Sequence, residues 1–259
     1  MKKKYFNNIK DCILKHKEVS IFILLGLVIL LAIVLIITKT TSKDDTSDVI
    51  VQAPITVEGT ICIDAGHGGS DTGAISPDGL IYEKDDNLKL ALKVKEYLEE
   101  MNLKVVMTRT DDSTVDLNER CRIANTEDAD LFVSLHRNSA ESTSASGVEI
   151  WVHNSQPSAD VALANNILNA LESVGIQENR GVEFGYRGDS SENYRVNKLT
   201  TMPSCLVETG FISNEKDREL YSIHLDDYAK AIADAIYQTL EGIADGSIDT
   251  SIGKAGQNR

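Results

Sequence analysis

Ile61-Cys62-Ile63-Asp64-Ala65-Gly66-His67-Gly68-Gly69 reads as a short apolar strand that stops in a glycine-rich turn carrying a histidine. Two later runs follow the same plan. Leu131-Phe132-Val133-Ser134-Leu135 leads into His136, and Cys205-Leu206-Val207 leads into Glu208-Thr209-Gly210. In open α/β sheets functional groups gather at the carboxyl ends of strands, where residues distant in sequence meet. Two histidines and a glutamate delivered in this way point to a metal-dependent hydrolase. Gly66, Gly68 and Gly69 permit a tight turn that brings backbone close to a bound group, and Asp71 and Gly73 continue it.

Working outward, strand-like and helix-like patterns alternate from Thr60 to about Gly242. Strands are expected at Thr60–Asp64, Leu103–Thr108, Asp130–Leu135, Gly147–Val152 and Ser204–Glu208. Helices are expected at Asp86–Met101, Leu117–Asn125, Ala159–Val174 and Leu225–Gly242, each with apolar residues at helical spacing. That alternation predicts one α/β domain over residues 59–243, with a twisted, mostly parallel central sheet flanked by helices. Ser139–Ser146 and Asn179–Asn197 are polar and read as surface loops that rim the site. Residues 244–259 form a polar tail expected to lack fixed structure.

Upstream, Val19 to Ile37 is uninterrupted by charge. At about 1.5 Å per residue it is long enough to cross a hydrocarbon core of roughly 30 Å. Lys2, Lys3, Lys4, Lys10, Lys15 and Lys17 precede it, while Asp44, Asp45 and Asp48 follow. The positive-inside rule then predicts a single-pass cell-membrane protein: residues 1–18 in the cytoplasm, 19–37 as anchor, 38–58 as linker and the domain outside. Thr40-Thr41-Ser42 is a poor small-x-small site, which favours an uncleaved anchor over a signal peptide.

Charge supports the division. Of 26 basic and 40 acidic residues, Met1–Thr40 holds seven lysines but only Asp11 and Glu18, leaving 19 basic and 38 acidic residues beyond it. A formal −19 disfavours nonspecific nucleic-acid binding, which demands a basic surface. The cysteines form no CxxC ribbon or dense disulfide framework, and Cys62 and Cys205 read as small buried side chains.

The candidate chemistry rests on four residues. A glutamate such as Glu83, just before the first long helix, is common there because the helix dipole favours it. Glu208 is different: a glutamate closing an apolar strand has little structural reason to be there. Together, His67, Glu83 and His136 make the two-histidine, one-carboxylate set that leaves an open position on catalytic zinc. Glu208 is then free for acid-base work, accepting a water proton and returning it to a leaving amine.

These motifs are Ile63-Asp64-Ala65-Gly66-His67-Gly68-Gly69, Glu83-Lys84-Asp85, Ser134-Leu135-His136-Arg137-Asn138 and the run Met202 to Asn214. In that order they resemble the zinc-dependent N-acetylmuramoyl-L-alanine amidases of the amidase-3 type. The resemblance implies cleavage of the amide between the lactyl group of N-acetylmuramic acid and L-alanine in bacterial peptidoglycan. It implies one zinc per chain on His67, Glu83 and His136, with Glu208 catalytic. Asn138 and Arg180-Gly181 fall on recurrent family positions and are expected to contact substrate. Asp64-Ala65-Gly66 stands where Asp-Pro-Gly is usual, and Glu208-Thr209-Gly210 where Glu-Leu-Gly is common; neither change removes a ligand. Two other readings are a peptidoglycan-binding module without turnover and a zinc hydrolase of another outer-surface amide. Presence of all four chemical residues speaks against the first, and the motif order against the second. His153 and His224 are expected outside the site and Trp151 in packing. No inserted blocking helix is evident between Arg109 and Asp130, and control by a regulatory protein partner stays open.

Overall fold

The computed structural model describes residues 57–251 and 253. The segments expected as cytoplasmic (1–18) and as anchor (Val19–Ile37), and nearly all of the expected linker (38–58), lie outside the described residues. Among those described, no helix is long and apolar enough to cross a membrane.

Six strands form one sheet: β1 (Thr60–Ala65), β2 (Lys104–Met107), β3 (Leu131–Asn138), β4 (Val148–Val152), β5 (Asn179–Phe184) and β6 (Ser204–Phe211). Their spatial order is β2-β1-β3-β6-β4-β5. Every pairing is parallel except β4 with β6, which is antiparallel. The exception has a simple cause. Only residues 139–147 separate β3 from β4, and a parallel return needs a crossover of about a dozen residues or more.

Five helices cover the sheet: α1 (Glu83–Glu100), α2 (Leu117–Thr126), α3 (Ser158–Val174), α4 (Arg195–Leu199) and α5 (Glu215–Ala244). Glu83, Asp85 and Asp86 occupy the first turn of α1, where the helix dipole favours negative charge, and Leu90, Ala91, Val94 and Leu98 face the core. Side chains of Asp116 and Asn214 cap α2 and α5, accepting from the backbone N–H of Asn118 and Asp217. The last helix begins ten residues before the expected start and bends at His224, whose φ/ψ of −105°/17° is not helical.

Strand alternation assigns the two faces. Ile61, Ile63, Leu131, Val133, Leu135, Ile150, Cys205 and Val207 pack under α1, α3 and α5 in the larger core. Cys62, Phe132, Trp151 and Leu206 point the other way, to a smaller cluster with Cys121 and Ala124 of α2 and Val196 of α4. Asp64, Ser134, His136, Glu149 and Glu208 share the parity of this second, thinly covered face. The sequence periodicity therefore puts polar residues where two short helices leave the sheet's upper end open.

Two further expectations change. Asn179–Asn197 is expected as one loop but contains edge strand β5 and the start of helix α4. The Asn179–Phe184 strand has no buried residue and alternates weakly, so periodicity does not betray it. Likewise the described start of the tail is placed: Ile248 N–H donates to Gly242 O at 2.7 Å, and the Ser158 hydroxyl donates to Asp249 O.

Candidate metal centre

The end of β1 is built to hold a histidine still. His67 sits in the left-handed region at φ 60°, which is uncommon for a side chain bearing a Cβ. Arg120, from α2, donates to His67 O at 2.7 Å and Ala65 O at 2.7 Å, while Arg109 donates to Ala65 O and Gly66 O at 2.8 and 2.9 Å. Two buried arginines thus satisfy the carbonyls where the chain leaves β1 and turns. Arg120 is itself anchored on Asp64 (2.6 Å), whose carboxylate also accepts from Thr108 and Ser134 hydroxyls, each at 2.6 Å. Although burial alone would raise it, Arg120 and the two hydroxyls hold the Asp64 carboxyl below its ordinary range. Removing one partner of such a buried pair typically costs about 3–5 kcal/mol, because the other charge is left uncompensated.

Glycine at 66 and 73 is a matter of space. A Cβ at Gly66 would overlap the His136 imidazole, and one at Gly73, where φ is +63°, would collide with Glu83 and His67.

These constraints bring three donors together. One ligand atom from each of His67, Glu83 and His136 lies within 4.8 Å of the others. Glu83 Oε1 sits 3.2 Å from His67 Nε2 and 2.9 Å from His136 Nδ1, and accepts from Arg137 N–H at 3.1 Å. Its Oε2 accepts from Ala74 N–H at 2.8 Å. Burial opposes ionisation of Glu83, but the two imidazoles outweigh it and hold the carboxyl well below its ordinary range. Burial likewise opposes charge on His67, yet Glu83 and Asp71 raise its pKa to about 9. Asp71 Oδ2 lies 2.9 Å from His67 Nδ1, the second-sphere carboxylate that commonly orients a metal-ligating imidazole. Two imidazoles and an anionic carboxylate at this spacing fit a divalent metal such as zinc.

Beside them, Glu208 pairs in register with His136 across β3 and β6. It is 8% exposed, and its Oε2 is buried without a hydrogen-bond partner. Burial chiefly, with help from Glu83 and Glu149 against the pull of His136 and Arg187, pushes its pKa up to about 7. That is the value wanted of a group that both takes and gives a proton near neutrality. On its other side, antiparallel β4 places Glu149 directly opposite. Glu149 accepts from Arg180 Nε (2.7 Å), Trp151 Nε1 (3.1 Å) and Arg187. These donors overcome burial and keep it ionised. Two adjacent carboxylates are thereby driven apart: one locked as an anion, one free to exchange its proton.

The cleft around these groups has a volume of about 800 Å³ and includes His67, Glu83, His136, Asn138 and Glu208 in its walls. Asn138 presents a buried Nδ2 with no partner among the described residues. Arg180 is placed differently from the expectation: it lies behind the cleft wall, bound to Glu149, whereas Arg187 and Arg195 of the same segment reach the cleft. His153 is buried against Ser155 and Asn193, and His224 pairs with Asp227 at the bend of α5. Trp151 packs edge-on to Tyr194. Sequence reading passed over Glu149, although an acid inside Val148-Glu149-Ile150-Trp151-Val152 carries the same signal that singled out Glu208. Arg109 and Arg120 gave no such signal, since arginines in a strand end or on a polar helix read as solvated.

Comparison with known proteins shows the family to which the chain belongs. The amidase-3 family model, N-acetylmuramoyl-L-alanine amidase, matches residues 61–242. The probable cell wall amidase LytH of Staphylococcus aureus is 35% identical over 181 residues, covering 68% of this chain and 57% of LytH, a little over half of that protein. The catalytic domain of CwlV, an N-acetylmuramoyl-L-alanine amidase from Bacillus (Paenibacillus) polymyxa var. colistinus, is 36% identical with a TM-score of 0.64, over 71% of this chain and 98% of that one. The CwlD amidase of Clostridioides difficile, solved in complex with the GerS lipoprotein, is 30% identical with a TM-score of 0.63, over 71% and 98%.

Proposed function

Because this chain belongs to the amidase-3 family of N-acetylmuramoyl-L-alanine amidases, we propose that it hydrolyses the amide joining the lactyl group of N-acetylmuramic acid to L-alanine in peptidoglycan, with one zinc on His67, Glu83 and His136. The observation that carries this reading is the convergence of those three donors beside a buried carboxyl, Glu208, that has an unpartnered oxygen. Zinc in that position supplies a Lewis acid that polarises the scissile carbonyl and lowers the pKa of the attacking water towards about 7.

The protein's own residues do the rest. Glu208 accepts a proton from the water as its oxygen attacks the lactyl carbonyl carbon. It then returns that proton to the alanine nitrogen as the C–N bond breaks, leaving a lactyl carboxylic acid and a free L-alanine amino terminus. Asn138 Nδ2 offers a hydrogen bond to substrate from the cleft wall. Glu149, held ionised, does not compete for the proton and helps keep the Glu208 pKa near neutrality.

Digestion of purified peptidoglycan by the full chain tests the reaction. Mass spectrometry should find stem peptides beginning with free L-alanine and glycan strands bearing free muramic lactyl groups. Peptides cut between stem residues, or shortened glycans, would refute it.

The same reading places the domain outside the cell on the Val19–Ile37 anchor, supported by the lysine asymmetry and the uninterrupted apolar length. Protease added to intact, wall-stripped cells should degrade the domain, and the mature chain should retain Lys2–Lys17. Protection would reverse the topology; an amino terminus near Ser42 would remove the anchor. A protein partner is compatible with this arrangement, as the CwlD amidase was solved in complex with the GerS lipoprotein.

A further inference from the structure

Arg187 lies in the connection between β5 and α4 and lines the cleft. One of its terminal nitrogens is fixed on the ionised Glu149, while its side chain is 43% exposed. The Nε and the other terminal nitrogen have no partner among the described residues. Among the other cleft arginines, Arg120 is held by Asp64 and Arg195 by Asn118, and Arg137 keeps one unpartnered terminal nitrogen but is buried, with its other on Asp86. Arg187 is therefore a half-exposed, pre-oriented guanidinium with spare donors beside Glu208.

Direction follows from the proton path. The leaving nitrogen must come within hydrogen-bond reach of Glu208, so the peptide stem departs on the Glu208 side of the cleft. Glu149, which holds Arg187, stands opposite Glu208 on the neighbouring strand, and Arg187 and Glu208 line the same cleft. A carboxylate on the next stem residue lies a little more than one Cα–Cα step of about 3.8 Å from the alanine, on the side where Arg187 stands. A domain with twice as many acidic as basic residues would otherwise repel that carboxylate.

We propose that Arg187 is the receptor for the α-carboxylate of the stem residue following L-alanine, so that the cleft prefers γ-linked D-glutamate there over its carboxamide, D-isoglutamine. The assignment rests on the amidase reading above, with Glu208 as the proton donor. A guanidinium recognises carboxylate through paired, charge-assisted hydrogen bonds that a carboxamide cannot reproduce.

The test compares two synthetic muramoyl-peptides, identical except for carboxylate or carboxamide at that position, with the full chain and with Arg187→Gln and Arg187→Lys. The native chain should favour the acid by about tenfold or more in kcat/KM, the order expected for a charge-assisted contact. Arg187→Gln should bring the ratio close to one, and Arg187→Lys should restore part of it. General damage to the site lowers both substrates alike and leaves the ratio unmoved. A native ratio near one, or an unchanged ratio in Arg187→Gln, overturns the assignment. If neither substrate is cut, the amidase reading fails, and calorimetry with the two free stem peptides decides Arg187 separately: equal affinity overturns it, an Arg187-dependent preference for the acid upholds it.

Discussion

Replacing Glu208 by Gln is expected to leave zinc bound and the fold intact while lowering turnover on peptidoglycan by about 10²–10⁴-fold, the usual worth of general acid-base catalysis. The substitution keeps size and shape at a position buried between β3 and β4. It also removes a buried carboxyl that burial already drives towards its neutral form, so the fold has little to lose. What disappears is the ability to accept a proton. Substrate affinity should change little, because the lost interaction belongs to the transition state. Metal content and release of stem peptides measured on one sample decide the matter. Near-normal turnover by the zinc-loaded variant would sink the mechanism, whereas loss of zinc together with activity would make Glu208 a ligand.

His136→Ala is expected to empty the metal site. Changes to residues that merely orient ligands typically cost about 10–100-fold in affinity, and removal of a ligand should exceed that. The folded chain should survive the change. Glu83 keeps hydrogen bonds from Arg137 N–H and Asn87 Nδ2, and β3 keeps its register with β1 and β6. Elemental analysis beside a thermal melt separates the two effects. Undiminished zinc in the well-folded variant would show that the ligand set is misassigned.

The candidate ligands and Glu208 were legible in the sequence because each interrupts a strong local pattern. Apolar strands seldom end in His or Glu, so His67, His136 and Glu208 stood out from their own neighbours. Glu83 was visible only in company, since an acid in a first helical turn is ordinary. Strand periodicity also carried more than the strands themselves. It fixed the common parity of Asp64, His136 and Glu208, and hence the face on which they meet.

What the sequence by itself determined was therefore everything that depends on near neighbours: most strands and helices, their buried faces, and the residues with chemical reason to be at strand ends. Only the tertiary structure decided what depends on distant partners. The antiparallel turn of β4 put Glu149 opposite Glu208, and the exposed edge strand β5 delivered Arg180 to the back of Glu149 and Arg187 to the cleft. Arg120, 56 residues from Asp64, closed the carbonyls of the His67 turn. Periodicity reports whether a residue is buried, and it is silent on which buried charge it will meet. That choice is made by packing the whole sheet, where leaving any one of these groups unpaired costs more than bringing its partner from far along the chain.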